Sequence, residues 1–443
     1  MEAIIPDFLD GLRMIRVGSL PPGLAGILRL PGSKYVANRA FLLAALAQGT
    51  SVIENAPDNQ DMERARDFGS FLGADLRREG EEWRVRGVGG CPEWKKPRVF
   101  FCGESGTLAR WALALATLSS DPIRLEGAPR LQERPMAELV SVLMTLGARI
   151  EPESARGLPL SISGPLRGGQ VTLSGQVSSQ FGSALLTLAP LLPEGLILDF
   201  THPPVSRSYL ELTLETMRTF GVSGRRGPVW HLEVPGGGHY QATRFRIDPD
   251  PVLAGYFMAL PAVLGGSLQL PGLIPGEAGE WRVAGLLSRM GLSVRTGAEG
   301  LTVQSSGAPL RALGTVDLSD APDGVPTLAV LAGLAESGTT RFTGIGHLRY
   351  KESDRLQDLA SEMAAAGLDV RVEAGDLVIQ GGGRLQPVVL DAHGDHRLAM
   401  SFALLAVACP GLSIRGEASV AKSFPDFWRR LESLGISWIP VHD

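Results

Sequence analysis

Cysteine is scarce in this chain, with three residues in 443: Cys91, Cys102 and Cys409. They are odd in number, far apart and never paired as C-x-x-C, so neither a disulfide framework nor a thiolate metal site is indicated, and a reducing cytoplasm fits. Positive charge is not in excess either. A formal net charge of -5 argues against a nucleic-acid partner or an anionic membrane surface. Apolar runs are too short or too broken to span a bilayer, and the segment Met1 to Asp10 carries acids where a signal or transit peptide would carry bases. The chain reads as cytoplasmic and unprocessed. Also missing are a P-loop, a G-x-G-x-x-G that opens a strand-helix unit and a G-x-S-x-G elbow, so nucleotide, dinucleotide and acyl-serine chemistry lack their usual marks.

What is present is repetition. The hydrophobic fraction of 44% and the length of 443 residues suit two cores. An Ala/Leu-rich run ends in a small-residue turn at Gly49, Ser120, Gly195, Gly266, Gly338 and Gly411, a period of roughly 70 to 75 residues. A short strand follows each turn, then a polar loop, then an amphipathic helix that stops at Gly73, Gly147, Gly221, Gly291, Gly367 or Gly435, each suited to a left-handed C-cap. The first helix of each unit is apolar on nearly every side, which predicts burial rather than a surface position. The expected fold is α/β, with two similar domains, each of three inside-out helix/strand units built around buried helices. The break falls near Phe245, after Gly236-Gly237-Gly238. The strand around Met14 to Val17 would most economically join the last units, giving a discontinuous domain of residues 1–32 and 246–443 and an inserted domain of 33–245.

Charge collects at one phase of this repeat. Lys34, Arg39, Arg110, Ser178, Ser179, Gln180, Asp323, Asp395 and Arg397 stand near the starts of the buried helices. Arg130, Arg134, Ser206, Arg207, Tyr209, Lys351, Glu352, Arg355 and Lys422 stand near the starts of the outer ones. The stretch from Gly344 to Arg355 is the densest and is expected to open a helix, with Arg349, Lys351 and Arg355 at the positive end of its dipole. Cations there are disfavoured unless an anion meets them, so the ligand implied is polyanionic, held by fixed-fork arginines and point-charge lysines. Each residue alone has a blander account: Ser178 to Gln180 as a cap, Lys351 to Arg355 as a solvated ion-pair ladder, Lys422 as a surface lysine. The recurrence at one phase favours a ligand site. His393 and His396 have no third or fourth ligand at a usual spacing and Arg397 beside them, so no metal is expected.

Seven runs carry a resemblance: Leu30-Pro-Gly-Ser-Lys-Tyr-Val-Ala-Asn-Arg39, Cys102-Gly-Glu-Ser-Gly-Thr-Leu-Ala-Arg110, Pro129-Arg-Leu-Gln-Glu-Arg-Pro135, Val177-Ser-Ser-Gln180, Tyr350-Lys-Glu-Ser-Asp-Arg355, Asp395-His-Arg397 and Ala421-Lys-Ser-Phe-Pro425. In this order, over nearly the whole chain, they resemble the enolpyruvyl transferase family, and within it the branch that acts on shikimate 3-phosphate. The resemblance implies transfer of the enolpyruvyl group of phosphoenolpyruvate to the 5-hydroxyl of shikimate 3-phosphate by addition and elimination, with no cofactor, in a monomer whose domains close on both substrates. It places Lys34, Tyr35, Arg39, Ser178, Ser179, Gln180, Ser206, Tyr209, Asp323, His347 and Lys351 around shikimate 3-phosphate. Around phosphoenolpyruvate it places Lys34, Gly106, Thr107, Arg134, Gln180, Arg355, Arg397 and Lys422. Asp323 would take or orient the hydroxyl proton, Glu352 would exchange the proton at C3, and Lys34 would assist proton movement and stabilise charge.

Some positions depart from the family pattern. Tyr35 stands where a serine is usual, Glu104 and His347 where asparagine is common, and Asp248-Pro249-Asp250-Pro251 replaces a Gly-Asp-x-Ser entry to the fourth unit. A different acceptor alcohol is therefore the alternative, with Tyr35 as its support. A non-catalytic repeat scaffold would explain the units but not the charges. The cell-wall branch acting on a UDP-sugar lacks its lysine-asparagine opening and loop cysteine here.

Overall fold

The computed structural model describes residues 14–441 except 22, 91, 97, 154–156, 229, 275, 277 and 278. Cys91 and the acidic N-terminal segment, on which the reading of an unprocessed start rests, lie outside the described residues.

Six four-stranded sheets share one strand order. In the third, Gly169–Leu173 runs parallel to Leu196–Phe200, which pairs antiparallel with His231–Val234, and Arg225–Arg226 lies outermost. A parallel pair needs a crossover, and here the crossover is the buried helix Ser179–Leu188. Its counterparts are Lys34–Leu46, Gly106–Ala116, Pro251–Leu264, Val325–Gly333 and His396–Ala408. These helices have no polar face to offer water. In Gly106–Ala116 only Thr107 escapes full burial, and in His396–Ala408 only the last residue does. The outer helices end as the glycine spacing suggests, with φ between 84° and 113° at Gly73, Gly147, Gly221, Gly291, Gly367 and Gly435.

The apolar side chains separate into two clusters. One runs from Ala37 to Ile247; the other joins Val17 to Leu30 with Leu253 to Ile436. Strands are lent so that each set of three sheets closes. Arg244–Arg246 runs parallel to Thr50–Glu54 in the first sheet, Leu24–Ile27 runs parallel to Gly266–Pro271 in the fourth, and Met14–Ser19 lies between Ser413–Arg415 and Ser437–Val441 in the sixth. The N-terminal strand thus sits with the last unit, as its pattern suggests. Where the chain passes between clusters, Gly32 bridges Pro249 and the Ser33 amide donates to Asp248 O at 2.8 Å. Asp250 caps the next buried helix by accepting from the Val252 and Leu253 amides at 2.8 and 3.1 Å, so the Asp-Pro-Asp-Pro entry is a crossing point with its own helix cap.

Candidate active site

The buried helices begin at the seam between the two clusters, with Ser33, Ser105, Ser178 and Asp395 as N-caps. Two adjoining cavities lie there. The first, about 60 Å³, is lined by Tyr35, Arg39, Thr107, Arg134, Ser178, Ser179, Gln180, Ser206, Tyr209, Asp323, His347 and Lys351. The second, about 50 Å³, is lined by Lys34, Tyr35, Gly106, Thr107, Arg134, Gln180, Asp323, Lys351, Glu352, Arg355, Arg397 and Lys422. Every residue that the resemblance places around either substrate lines one or both, as does Glu352, whereas Arg130, Arg207, Arg349 and Asp395 do not.

At the centre is Arg355, with a side chain only 1% exposed. Its guanidinium reaches Asp395 at 2.8 Å, Asp323 at 2.7 Å and Glu352 at 2.8 Å. This corrects one expectation. The stretch before it does not open a helix: Gly346–Tyr350 forms a 3-10 turn, and the helix starts only at Arg355, where Asp354 caps it by accepting from the Gln357 amide at 3.2 Å. Arg349 is exposed, and the charge of Arg355 is met by three carboxylates rather than left for a ligand. Burial of these four side chains is tolerated because each pairs with another.

The remaining cations surround this knot. Lys422 lies 3.3 Å from Glu352 and Arg134 lies 3.6 Å from it. Lys34 Nζ reaches Asp61 at 3.0 Å and His396 Nε2 at 3.5 Å. A Cβ on Gly106 would come within 2.5 Å of the Arg134 guanidinium, so only glycine lets that arginine lie across the helix start. Burial alone would raise the Glu352 carboxyl, but Lys422, Arg134 and Arg355 outweigh it and hold the group well below its ordinary range. Asp323 is likewise held well below its range: burial opposes, while Lys351, Arg397, Arg355 and the Tyr35 hydroxyl prevail. Both carboxylates are ionised at neutral pH.

On the other side, Arg39 lines the cavity while its guanidinium donates to Thr213 Oγ1, Tyr35 O and Tyr209 O at 2.8, 2.8 and 3.0 Å. Ser178 does serve as a cap, accepting from the Gln180 amide at 3.2 Å. His347 is neutral, its value pushed down to about 3 by burial and Lys351, and its Nε2 is buried with no hydrogen-bond partner. Arg130 reaches across the seam to Glu352 O and Lys351 O at 3.0 and 3.2 Å, a structural clasp rather than a group facing the cavities. Cys102 is buried and its thiol is pushed up to about 12, which leaves it unreactive.

Glu280 escaped the sequence reading. Buried, it accepts from the Asp323 and Gly324 amides at 3.0 and 2.9 Å and from the Tyr209 hydroxyl at 3.2 Å. It stands at the start of an outer helix, the same phase at which the other units carry cations; a search for charge of either sign would have found it. Burial and the Asp323 carboxylate push it up to about 8 from an ordinary 4.5, against the pull of its donors. Between those values the unfolded chain releases a proton that the folded chain keeps, so this group makes stability fall as pH rises. Glu280→Gln is expected to flatten the decline in denaturant midpoint between pH 5 and 8; an unchanged slope would count against the raised value.

His393 and His396 do not converge. His393 Nε2 lies 2.9 Å from Glu362, while His396 points to Lys34. Among the described residues no group of three or more His, Cys, Asp or Glu side chains is placed to hold a metal ion.

Cationic helix starts and ionised carboxylates thus meet where the two sets of three sheets adjoin. The fold is similar to that of EPSP synthase from Acinetobacter baumannii, with a TM-score of 0.81 and 24% identity over 98% of this chain and all of that one. It is also similar to the enolpyruvyl transferase NikO from Streptomyces tendae, with a TM-score of 0.75 and 21% identity over 97% and 98%. At these identities the likeness shows the fold alone. Residues 21–431 match the family model described as EPSP synthase (3-phosphoshikimate 1-carboxyvinyltransferase). The protein of that name from Methanosphaerula palustris is 39% identical over 92% of this chain and 96% of its own length, and that from Methanoculleus marisnigri is 38% identical over the same shares. The chain belongs to the EPSP synthase family.

Proposed function

We propose that the chain transfers the enolpyruvyl group of phosphoenolpyruvate to the 5-hydroxyl of shikimate 3-phosphate and releases phosphate. The observation that carries this is the pair of ionised carboxylates, Asp323 and Glu352, held on one buried guanidinium at 2.7 and 2.8 Å among Lys34, Arg134, Arg397 and Lys422. Asp323 accepts the proton of the attacking hydroxyl as its oxygen bonds to C2 of phosphoenolpyruvate, and a proton is added at C3. The tetrahedral intermediate then loses phosphate and a C3 proton, restoring the double bond.

Glu352 handles the C3 proton, which requires it to hold one. The cations that keep it ionised are those to which the ligand's phosphate and carboxylate would bind, so arrival of the anion neutralises their field and lifts Glu352 toward protonation. Substrate binding thus arms its own acid. Lys34, Arg134 and Lys422 then stabilise charge on the departing phosphate.

The 60 Å³ cavity is assigned to shikimate 3-phosphate and the 50 Å³ one to phosphoenolpyruvate, with closure of residues 33–245 on 1–32 and 246–443 about the crossing near Gly32 and Pro249. The separate hydrophobic clusters support that division. The cytoplasmic location is read from composition, and the monomer from the family resemblance. Arg134→Ala is expected to weaken phosphoenolpyruvate binding about 10- to 100-fold, the equivalent of one charge-assisted contact, with acceptor binding within about threefold. Calorimetric titration of each ligand checks it; equal losses would contradict the partition. Transfer to a different acceptor alcohol is the second reading, favoured by the ring of Tyr35 in the acceptor cavity.

A further inference from the structure

Tyr35 is bonded in a way that a spectator aromatic is not. Its hydroxyl donates to Asp323 Oδ2 and accepts from Arg397 Nη2 at 2.7 Å. An alcohol about to attack needs those same two neighbours: a carboxylate to take its proton, and the cation beside phosphoenolpyruvate. The phenol therefore stands where the acceptor hydroxyl belongs.

Space tells the same story. The acceptor cavity measures about 60 Å³, and the ring of Tyr35 forms part of its wall. On the far side of Tyr35 and Tyr209 lies a cavity of about 520 Å³, with Val36, Leu212, Val252 and Trp281 in its wall. Tyr35 lines both. Two other walls are tied by several bonds each: Asp323 by Arg355 and by its own amide to Glu280, and Arg39 by three hydrogen bonds. The ring of Tyr35 is held by its hydroxyl, by a tilted contact with Tyr209, centroids 4.8 Å apart, and by Lys34 and Arg397, which lie 5.6 and 5.9 Å from its centroid. Tyr35 and Tyr209 are the walls with open space behind them, and of the two only Tyr35 bonds to Asp323.

We propose that Tyr35 is the acceptor-specificity residue of this chain: its phenol holds the place of the acceptor hydroxyl, and the acceptor binds by displacing the ring into the apolar cavity behind it. Only an acceptor whose own anionic groups outweigh the two hydrogen bonds of the phenol gains entry, so weakly charged alcohols are refused. The inference rests on the functional reading above and deepens it.

The test is the dissociation constant of shikimate 3-phosphate, by calorimetry, for the wild type, Tyr35→Phe and Leu212→Trp, alongside turnover and phosphoenolpyruvate affinity. Tyr35→Phe keeps the ring and removes both hydrogen bonds to charged partners, so acceptor binding is expected to tighten about tenfold, with phosphoenolpyruvate affinity within about twofold. Leu212→Trp fills the receiving cavity and is expected to weaken acceptor binding about tenfold without touching phosphoenolpyruvate affinity. Unchanged or weaker acceptor binding in Tyr35→Phe would overturn the proposal, since the phenol would then contact the acceptor rather than yield to it. Unchanged acceptor binding in Leu212→Trp would overturn the displacement. Turnover of shikimate 3-phosphate by the wild type alongside either of these results would leave the functional reading intact, whereas no turnover at all would remove that reading and this inference with it.

Discussion

Glu352→Gln is expected to lower turnover by roughly 10²- to 10⁴-fold, the range for loss of a positioned general acid or base. Its shikimate 3-phosphate affinity should stay within about threefold, because Glu352 belongs to the other cavity and does not line the acceptor one. Phosphoenolpyruvate should bind several-fold more tightly. The amide removes a negative charge that now pairs with Arg355, Lys422 and Arg134 at 2.8, 3.3 and 3.6 Å, leaving those cations free for the ligand. A simple disruption of the site would weaken both ligands, so the split between rate and affinity isolates the proton-transfer role. Turnover within tenfold of the wild type would sink the assignment.

Arg355→Met is expected to lower stability by about 3–5 kcal/mol, the usual effect of removing one partner from a buried ion pair. Three carboxylates would then converge with no cation at their centre, and methionine keeps the packing of the stem. The pH dependence identifies the cause. Asp323 and Glu352 have folded values below their unfolded ones, so in the wild type their contribution is full above about pH 5 and is lost as pH falls through the depressed values. In the variant the share supplied by Arg355 is gone while Lys422, Arg134, Lys351 and Arg397 keep theirs, so its deficit against the wild type should be full above about pH 5 and shrink as pH falls below about 4. Denaturant melts of both proteins across that range give the answer; a deficit independent of pH would mean that lost packing, not lost charge pairing, is responsible.

The buried helices were legible because a helix with no polar face has nowhere to go but inside, and Trp111 and Phe402 are both buried to within 1%. The glycine stops were legible because a left-handed C-cap has few other solutions. The lending of Leu24–Ile27 to the fourth sheet was not, since that strand is four residues long and its pairing is set by a partner more than two hundred positions away. In the site, residue types at one phase of the repeat picked out many of the lining side chains, while Tyr35 and His347 came only with the family resemblance. Pairing was beyond reach. Nothing in the local order of Tyr350 to Arg355 shows that Asp323 and Asp395 arrive from other units to meet Arg355, and so its charge looked unmatched. Glu280 was passed over because it carries the opposite sign from its repeat counterparts. Tyr35 drew notice as a large residue in a small pocket, yet its bond to Asp323 is a product of the seam between the two halves.

The central claim is that the ionised pair on Arg355 drives enolpyruvyl transfer to shikimate 3-phosphate. Its most direct test is phosphate release from phosphoenolpyruvate by the purified protein, with and without shikimate 3-phosphate, with mass analysis of the organic product. The account predicts release only when shikimate 3-phosphate is present, one enolpyruvyl ether formed for each phosphate. Bound phosphoenolpyruvate with no release and no ether in the presence of shikimate 3-phosphate would contradict it.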